Sequence, residues 1–197
     1  MCSWRMGERI LPWRQLLESA LESHSQLQHS RFCQLATVRA NGTPANRTVV
    51  FRGFADGTDN LLFTTDSRSN KVQEAQHCPV AEVCYYFTDS WEQFRIHGDI
   101  EVISHTEDDP LKKEIREKSW FSSSLQTRKQ FTWPHPGQPK ESHPEEVRLE
   151  STQPPVDTFC VVTLHPVEVD YLHLKQHKRI VFRSSSGGDW TSQAVNP

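Results

Sequence analysis

A chain of 197 residues with 35% hydrophobic residues is long enough for one modest core and too short for two. Its net charge of -3 and pI near 6.4 supply no basic field that would recruit nucleic acid or an anionic membrane, so each local cation needs a local explanation. The mean hydropathy of -0.67 points to a polar surface or long loops, no run approaches a membrane span, and Arg5, Glu8 and Arg9 interrupt the start; a cytoplasmic protein is expected.

Pro12 sits where a helix can begin, and Trp13, Leu16, Leu17, Ala20 and Leu21 recur at helical spacing. This predicts an amphipathic helix over roughly 13–23, covering one end of a barrel. Two β-rich runs, 32–38 and 46–51, flank Asn41-Gly42, a pair that favours a tight hairpin. A third strand over 61–65 leads into a short helix over 70–76, which Cys78-Pro79 ends. Long strands follow over 80–87 and 94–104, then a charged helical stretch over 108–119 and a second short helix near 123–130. Residues 134–158 carry Pro134, Pro136, Pro139, Pro144, Pro154 and Pro155 among polar neighbours and read as a loop, mobile or function-bearing, inside a single domain spanning 1–197. Strands over 159–164, 168–172 and 180–183 complete a set that can close a barrel and leave no exposed edge. The expected fold class is mainly β with peripheral helices (α+β), built on a closed or split β-barrel.

Five cysteines, Cys2, Cys33, Cys78, Cys84 and Cys160, form no close-spaced ligand pair, which suits packing thiols in a reducing compartment. Ten histidines are scattered without a helical pair, so no metal centre is expected, and no nucleophile elbow or dyad marks a catalytic residue.

The densest chemistry lies between Asn46 and Lys71. Arg47-Thr48-Val49-Val50-Phe51-Arg52 is a basic strand, and period-2 geometry sends Arg47 and Arg52 to opposite faces, so the two cations serve different partners. Downstream, Thr64, Thr65, Ser69, Asn70 and Lys71 place polar groups and an amine where a strand gives way to a helix, and helix N-termini attract anions. The two halves read as a phosphate clamp; the alternative is an exposed strand with solvated arginines and an ordinary helix cap.

In this order the segments resemble the pyridoxamine 5'-phosphate oxidase family of FMN-binding split barrels. The family's Arg-x-Val-Leu-Leu-Lys strand is matched by Arg47 to Arg52, with Arg in the last place. Its aromatic-Tyr-Thr strand and Ser-Arg-Lys are matched by Phe63-Thr64-Thr65 and Ser69-Asn70-Lys71, and its Arg-Gln-Val…Gly strand by Glu92-Gln93-Phe94-Arg95-Ile96-His97-Gly98. Its late Trp and terminal Pro recur as Trp190 and Pro197, and the chain is most similar to a short branch ending in Val-Asn-Pro.

The resemblance implies bound FMN, with its phosphate at Arg47, Thr65, Ser69 and Lys71 and its ring beside Val49 and Val50. Thr48, Arg52, Thr64 and Asn70 fall in the same cofactor set; Asn70 stands where relatives have Arg, and Arg68 is the candidate to compensate. Gln93, Tyr171 and Arg179 are the implied late flavin contacts. On the substrate side it implies Arg52, Trp120, Ser124 and Arg128, with Ser124 and Arg128 exchanging the family's Arg and Ser. The Arg-Leu-His triplet expected between Tyr171 and Arg179 is absent, leaving His173 and His177. The implied activity is FMN-dependent oxidation of pyridoxamine or pyridoxine 5'-phosphate to pyridoxal 5'-phosphate with O2 as electron acceptor, in a homodimer, with no nucleic-acid or membrane partner. The alternatives are an FMN-dependent reductase or oxidase of another small substrate, and an FMN-binding protein without turnover.

Overall fold

The computed structural model describes residues 2–4, 11–140 and 148–197. In chain order the described elements are β1 (Cys2–Trp4), α1 (Pro12–Ser23), β2 (Phe32–Val38), β3 (Pro44–Phe54), β4 (Leu61–Asp66), α2 (Asn70–His77), β5 (Val80–Phe87) and β6 (Glu92–Ile103). Then come α3 (Pro110–Ser122), α4 (Leu125–Lys129), β7 (Phe159–His173), β8 (Lys178–Ser184) and β9 (Trp190–Val195). No helix among the described residues is long and apolar enough to cross a membrane.

The strands hydrogen-bond in the order β1-β9-β8-β7-β4-β3-β2-β5-β6, and β6 also pairs with β7, so β7, β4, β3, β2, β5 and β6 close a six-strand ring. β7 makes this possible by serving three neighbours. One edge runs along β6; the other is shared, with β4 on Phe159–Asp66 through Leu164–Leu61 and β8 on Glu168–Arg183 through His173–Lys178. The sequence reading divided this strand at Pro166. It continues because a register shift at His97/Gly98 places a bulge opposite, and bulges are where a strand tolerates proline. A Cβ on Gly98 would lie 2.0 Å from the His165 carbonyl oxygen, so β6 reaches the bulge only through glycine.

Inward-facing side chains fill the barrel, including Leu35, Phe51, Phe63, Val83, Tyr85, Phe94 and Ile96. Burying each such large apolar side chain contributes about 1.5–3 kcal/mol. α1 covers one end as its spacing predicts, with Trp13 packed 5.8 Å from Trp190 and 6.1 Å from Phe54 between ring centroids. Trp190 lies in β9, which the sequence reading did not foresee. A second apolar cluster, Ile103, Trp120, Phe131, Leu149, Phe159 and Val161, lies beneath α3 and α4. The described residues of the 134–158 loop hold no helix or strand, as expected, with Pro144 outside the described set. The later part is anchored: Leu149 is buried, and Arg116 donates to the Val156 carbonyl at 2.7 Å. Cys33 and Cys160 are buried, and burial pushes their thiols up to about 12 and about 11, which keeps them protonated packing groups.

Candidate functional site

β3 carries its two arginines on opposite faces, as its alternation requires. Between Phe51 and Gly53 the β3–β4 register shifts, leaving Arg52 outside the ladder beside Gly53 at φ 125. That backbone angle belongs to glycine, and the bulge turns Arg52 outward. Arg52 is exposed, and its Nε donates to Thr64 Oγ1 at 3.3 Å.

Arg47 points to the other side and is surrounded. Its Nη1 donates to Thr37 Oγ1 at 2.5 Å and to the Leu35 carbonyl at 3.3 Å, while Nη2 donates to Glu74 Oε2 at 2.5 Å. Thr37 Oγ1 also donates to Glu74 Oε2 at 2.5 Å. Burial pushes the Glu74 carboxyl up, but the hydrogen bonds from Thr37 and Arg47 and the charges of Arg47 and Arg39 outweigh it and hold Glu74 below the usual carboxylate range.

Lys71, in the first turn of α2, has different company. Its Nζ donates to Thr65 Oγ1 at 2.9 Å and Ser69 Oγ at 3.1 Å, and no carboxylate among the described residues pairs with it. Burial, and then the like charge of Arg47, pull its pKa below the ordinary lysine value. Ser69 occupies the N-cap position of α2 without making a cap bond; its Oγ donates instead to the Asp66 carbonyl at 2.7 Å. The first N–H groups of α2 therefore lack a side-chain cap, which leaves the positive end of the helix open. Arg47, Thr65, Ser69 and Lys71 thus form one cluster, with Thr64 next to it holding Arg52. Asn70, the first residue of α2, is exposed. Arg68 does not stand in for it: its Nε and Nη2 donate to Asp66 Oδ1 and Oδ2 at 2.9 and 2.6 Å, and Nη2 also reaches the Trp133 carbonyl.

Along β3, Val49 packs against the core, Thr48 is exposed opposite Gln34, and Val50 is opposite Phe32. Gln93 lies elsewhere, on β6, between Tyr86 of β5 and Leu172 of β7. Arg179 grips Asp170 with Nε and Nη2 at 3.0 and 2.7 Å, and Arg95 joins at 2.5 Å; Arg179 is the larger cause of an Asp170 pKa below the usual range. Tyr171 is buried with its ring 4.8 Å from Phe94, and its hydroxyl donates to Glu92 at 2.8 Å. No hydrogen bond or ion pair among the described residues joins this late set to the Arg47–Lys71 cluster.

Trp120, Ser124 and Arg128, expected on the substrate side, each have partners within the fold. Trp120 is fully buried, and its indole N–H donates to the Gln153 carbonyl at 2.7 Å. Arg128 is buried and donates to the carbonyls of Ser123, Ser151 and Phe121 at 2.9, 2.7 and 3.2 Å. Ser124 caps α4, accepting from the Thr127 N–H at 3.2 Å. The physical reason is the helix break at Ser123-Ser124: α3 ends with carbonyls that lack helical partners, and Arg128 in α4 folds back to meet two carbonyls there, those of Phe121 and Ser123. His177 takes φ 49 in the β7–β8 turn, and His173 ends β7, so neither reaches the cluster through any described bond.

Sequence reasoning missed Thr37 and Glu74. Their signal was present but faint: Glu74 follows Lys71 by three residues in one helix, which puts both on the same face. The donor chemistry of the cluster suits a phosphate monoester, because among the described residues it combines an amine bound only to hydroxyls, a guanidinium with an open edge, and a helix N-terminus without a side-chain cap.

Residues 10–104 match the family model described as pyridoxamine 5'-phosphate oxidase, FMN-binding domain. Over 198 residues the chain is 47% identical to pyridoxine/pyridoxamine 5'-phosphate oxidase 2 of Arabidopsis thaliana, covering 98% of this chain and 100% of that protein. The solved structure of a pyridoxamine 5'-phosphate oxidase-related, FMN-binding protein from Nostoc punctiforme matches with a TM-score of 0.90 at 39% identity, covering 96% of this chain and 100% of that one. A pyridoxine/pyridoxamine 5'-phosphate oxidase of Mesorhizobium japonicum is 24% identical over 88% of this chain and 85% of its own length. With a relative so similar along its whole length, and with the motifs in register on a closed split barrel, the chain belongs to the pyridoxamine 5'-phosphate oxidase family and is a flavoprotein whose cofactor is FMN.

Proposed function

We propose that the protein oxidises pyridoxamine or pyridoxine 5'-phosphate to pyridoxal 5'-phosphate with O2 as electron acceptor. The observation that carries this reading is the Lys71 amine, which among the described residues has hydroxyl partners and no carboxylate, beside Arg47 and an open helix end. Bound FMN supplies the two-electron acceptor, and the protein binds and orients the reactants. In this reading Arg47, Thr65, Ser69 and Lys71 hold the cofactor phosphate, and the Thr48–Val50 strand lies beside the ring. Arg52 takes the substrate phosphate, since it faces the other way with one weak bond of 3.3 Å.

Topology supports a homodimer as the working unit. In the ring β7-β4-β3-β2-β5-β6, strands β2 and β5 separate β3 from β6, and Arg179 lies outside the ring on β8. A two-fold pairing of copies would let Gln93 and Arg179 of one close over a flavin lying along β3 of the other.

Anaerobic mixing of the FMN-loaded protein with each B6 phosphate tests the activity: the flavin absorbance should bleach within the mixing experiment. A second reading, an FMN-dependent oxidoreductase of another small substrate, is favoured by the commitment of Trp120 and Arg128 to the protein interior. Bleaching by a nicotinamide donor without any by B6 phosphates would select it and overturn the first.

A further inference from the structure

We infer that Glu74 and Thr37 are positioning residues of the phosphate clamp, occupying one edge of the Arg47 guanidinium so that its other edge is aimed at a phosphate. The inference rests on the FMN-phosphate reading of the cluster and adds to it the part that sets the direction of the arginine.

A guanidinium has five N–H groups in a planar fork. Nη1 serves two acceptors, Thr37 Oγ1 and the Leu35 carbonyl, and Nη2 serves one, Glu74 Oε2. Thr37 Oγ1 and Glu74 Oε2 are themselves 2.5 Å apart, a spacing that lets them sit side by side across the Nη1/Nη2 edge. Left over are the Nε hydrogen and the second Nη2 hydrogen, which have no acceptor among the described residues. These two run parallel along the adjacent edge, the arrangement that meets two oxygens of one phosphate.

Burial makes the arrangement rigid. Glu74 is 6% and Thr37 2% exposed, and a buried carboxylate persists only when paired and hydrogen-bonded, so the Glu74–Arg47 contact is held from both sides. Arg39 adds a second cation at 3.8 Å from Glu74 Oε1. Charge is divided accordingly. Glu74 balances Arg47, which then acts as a directional donor, while Lys71, three positions earlier on the same helix, keeps its charge for the ligand.

The test uses the flavin-stripped full chain and compares FMN with riboflavin, which lacks the phosphate, across Glu74→Ala, Glu74→Gln and Thr37→Val, alone and with Arg47→Ala. Glu74→Ala should weaken FMN about tenfold while riboflavin stays within about twofold, and the loss should vanish in the Arg47→Ala background because the carboxylate acts through that arginine. Glu74→Gln keeps an acceptor oxygen and should recover most of the affinity. Thr37→Val, with the same shape and no hydroxyl, gives the same FMN-specific loss should Glu74→Ala fold poorly. The inference is overturned by tighter FMN binding in Glu74→Ala, by an equal loss for riboflavin, or by a loss that persists undiminished without Arg47. Wild-type protein that binds riboflavin as well as FMN would instead remove the phosphate assignment on which the inference stands.

Discussion

Among the described residues Lys71 meets two hydroxyls and no carboxylate, whereas Arg128 donates to three backbone carbonyls, so Arg128 is committed to the fold and Lys71 is the candidate for the FMN phosphate. Lys71→Ala should weaken FMN by about 1.5–3 kcal/mol, the worth of a charge-assisted hydrogen bond, or roughly 10–150-fold, as a fluorescence titration would show. Because burial and Arg47 lower the Lys71 pKa, the amine loses its proton at lower pH than an ordinary lysine. FMN affinity should therefore start to fall with rising pH below the ordinary lysine value of 10.5, and Lys71→Ala should flatten that limb. The two arginines once paired as substrate contacts should part company as well. Arg52→Ala should raise KM for pyridoxamine 5'-phosphate about tenfold with an unchanged melting temperature. Arg128→Ala leaves three carbonyls without their donor and should cost more than about 2 kcal/mol of stability, seen as a melting temperature several degrees lower. The clustering of Arg47, Thr65, Ser69 and Lys71 was legible because strand alternation and the strand-to-helix boundary are local properties. The direction of Arg128 was not, because spacing does not say which way a side chain turns after a helix ends.

At the level of elements, strong local signals carried the hairpin at Asn41-Gly42, α1 and α2, each within a few residues of its observed bounds. β9 escaped because Thr191, Ser192 and Gln193 are polar and partly exposed, so the strand shows little apolar alternation and is held mainly by pairing with β8. The unity of β7 escaped because proline usually ends a strand, and the bulge that admits Pro166 is set by a partner far away in sequence. That partner supplies a stringent test. A Cβ at Gly98 would meet backbone atoms of His165 at 2.0 and 2.8 Å, which no side-chain rotation relieves. Gly98→Ala should cost about 3 kcal/mol or more, the upper range for overpacking, in a urea or thermal unfolding curve. Gly187→Ala is the control: its nearest neighbour is a serine hydroxyl at 3.7 Å, and its stability should barely change.

Across the whole molecule, the barrel is closed but its seams differ in length. The β2–β5 ladder has three pairs, Gln34–Cys84, Leu35–Val83 and Ala36–Glu82, although both strands continue beyond it. Past Gln34 the two strands part around a cavity of about 450 Å³ that includes Phe32, Thr48, Tyr85 and Tyr86 in its lining. Phe32 is 46% and Tyr86 50% exposed there, two large aromatic surfaces on the outer face that carries Thr48. Aromatic rings of this kind bury about 150–250 Å² each when covered, and a standard interface takes about 800 Å² per partner, so they form a fitting centre for a two-fold contact. In the proposed homodimer that contact would close Gln93 and Arg179 of one copy over the β3 strand of the other. Sedimentation should accordingly give about twice the 22.8 kDa chain mass for the FMN-loaded protein. Phe32→Lys with Tyr86→Lys should yield monomers with a folded barrel, because both side chains point outward, and these monomers should bind FMN weakly although Arg47, Thr65, Ser69 and Lys71 are intact. A wild-type monomer that holds FMN would show that one copy completes the site, and would reduce Gln93 and Arg179 to residues of the sheet surface.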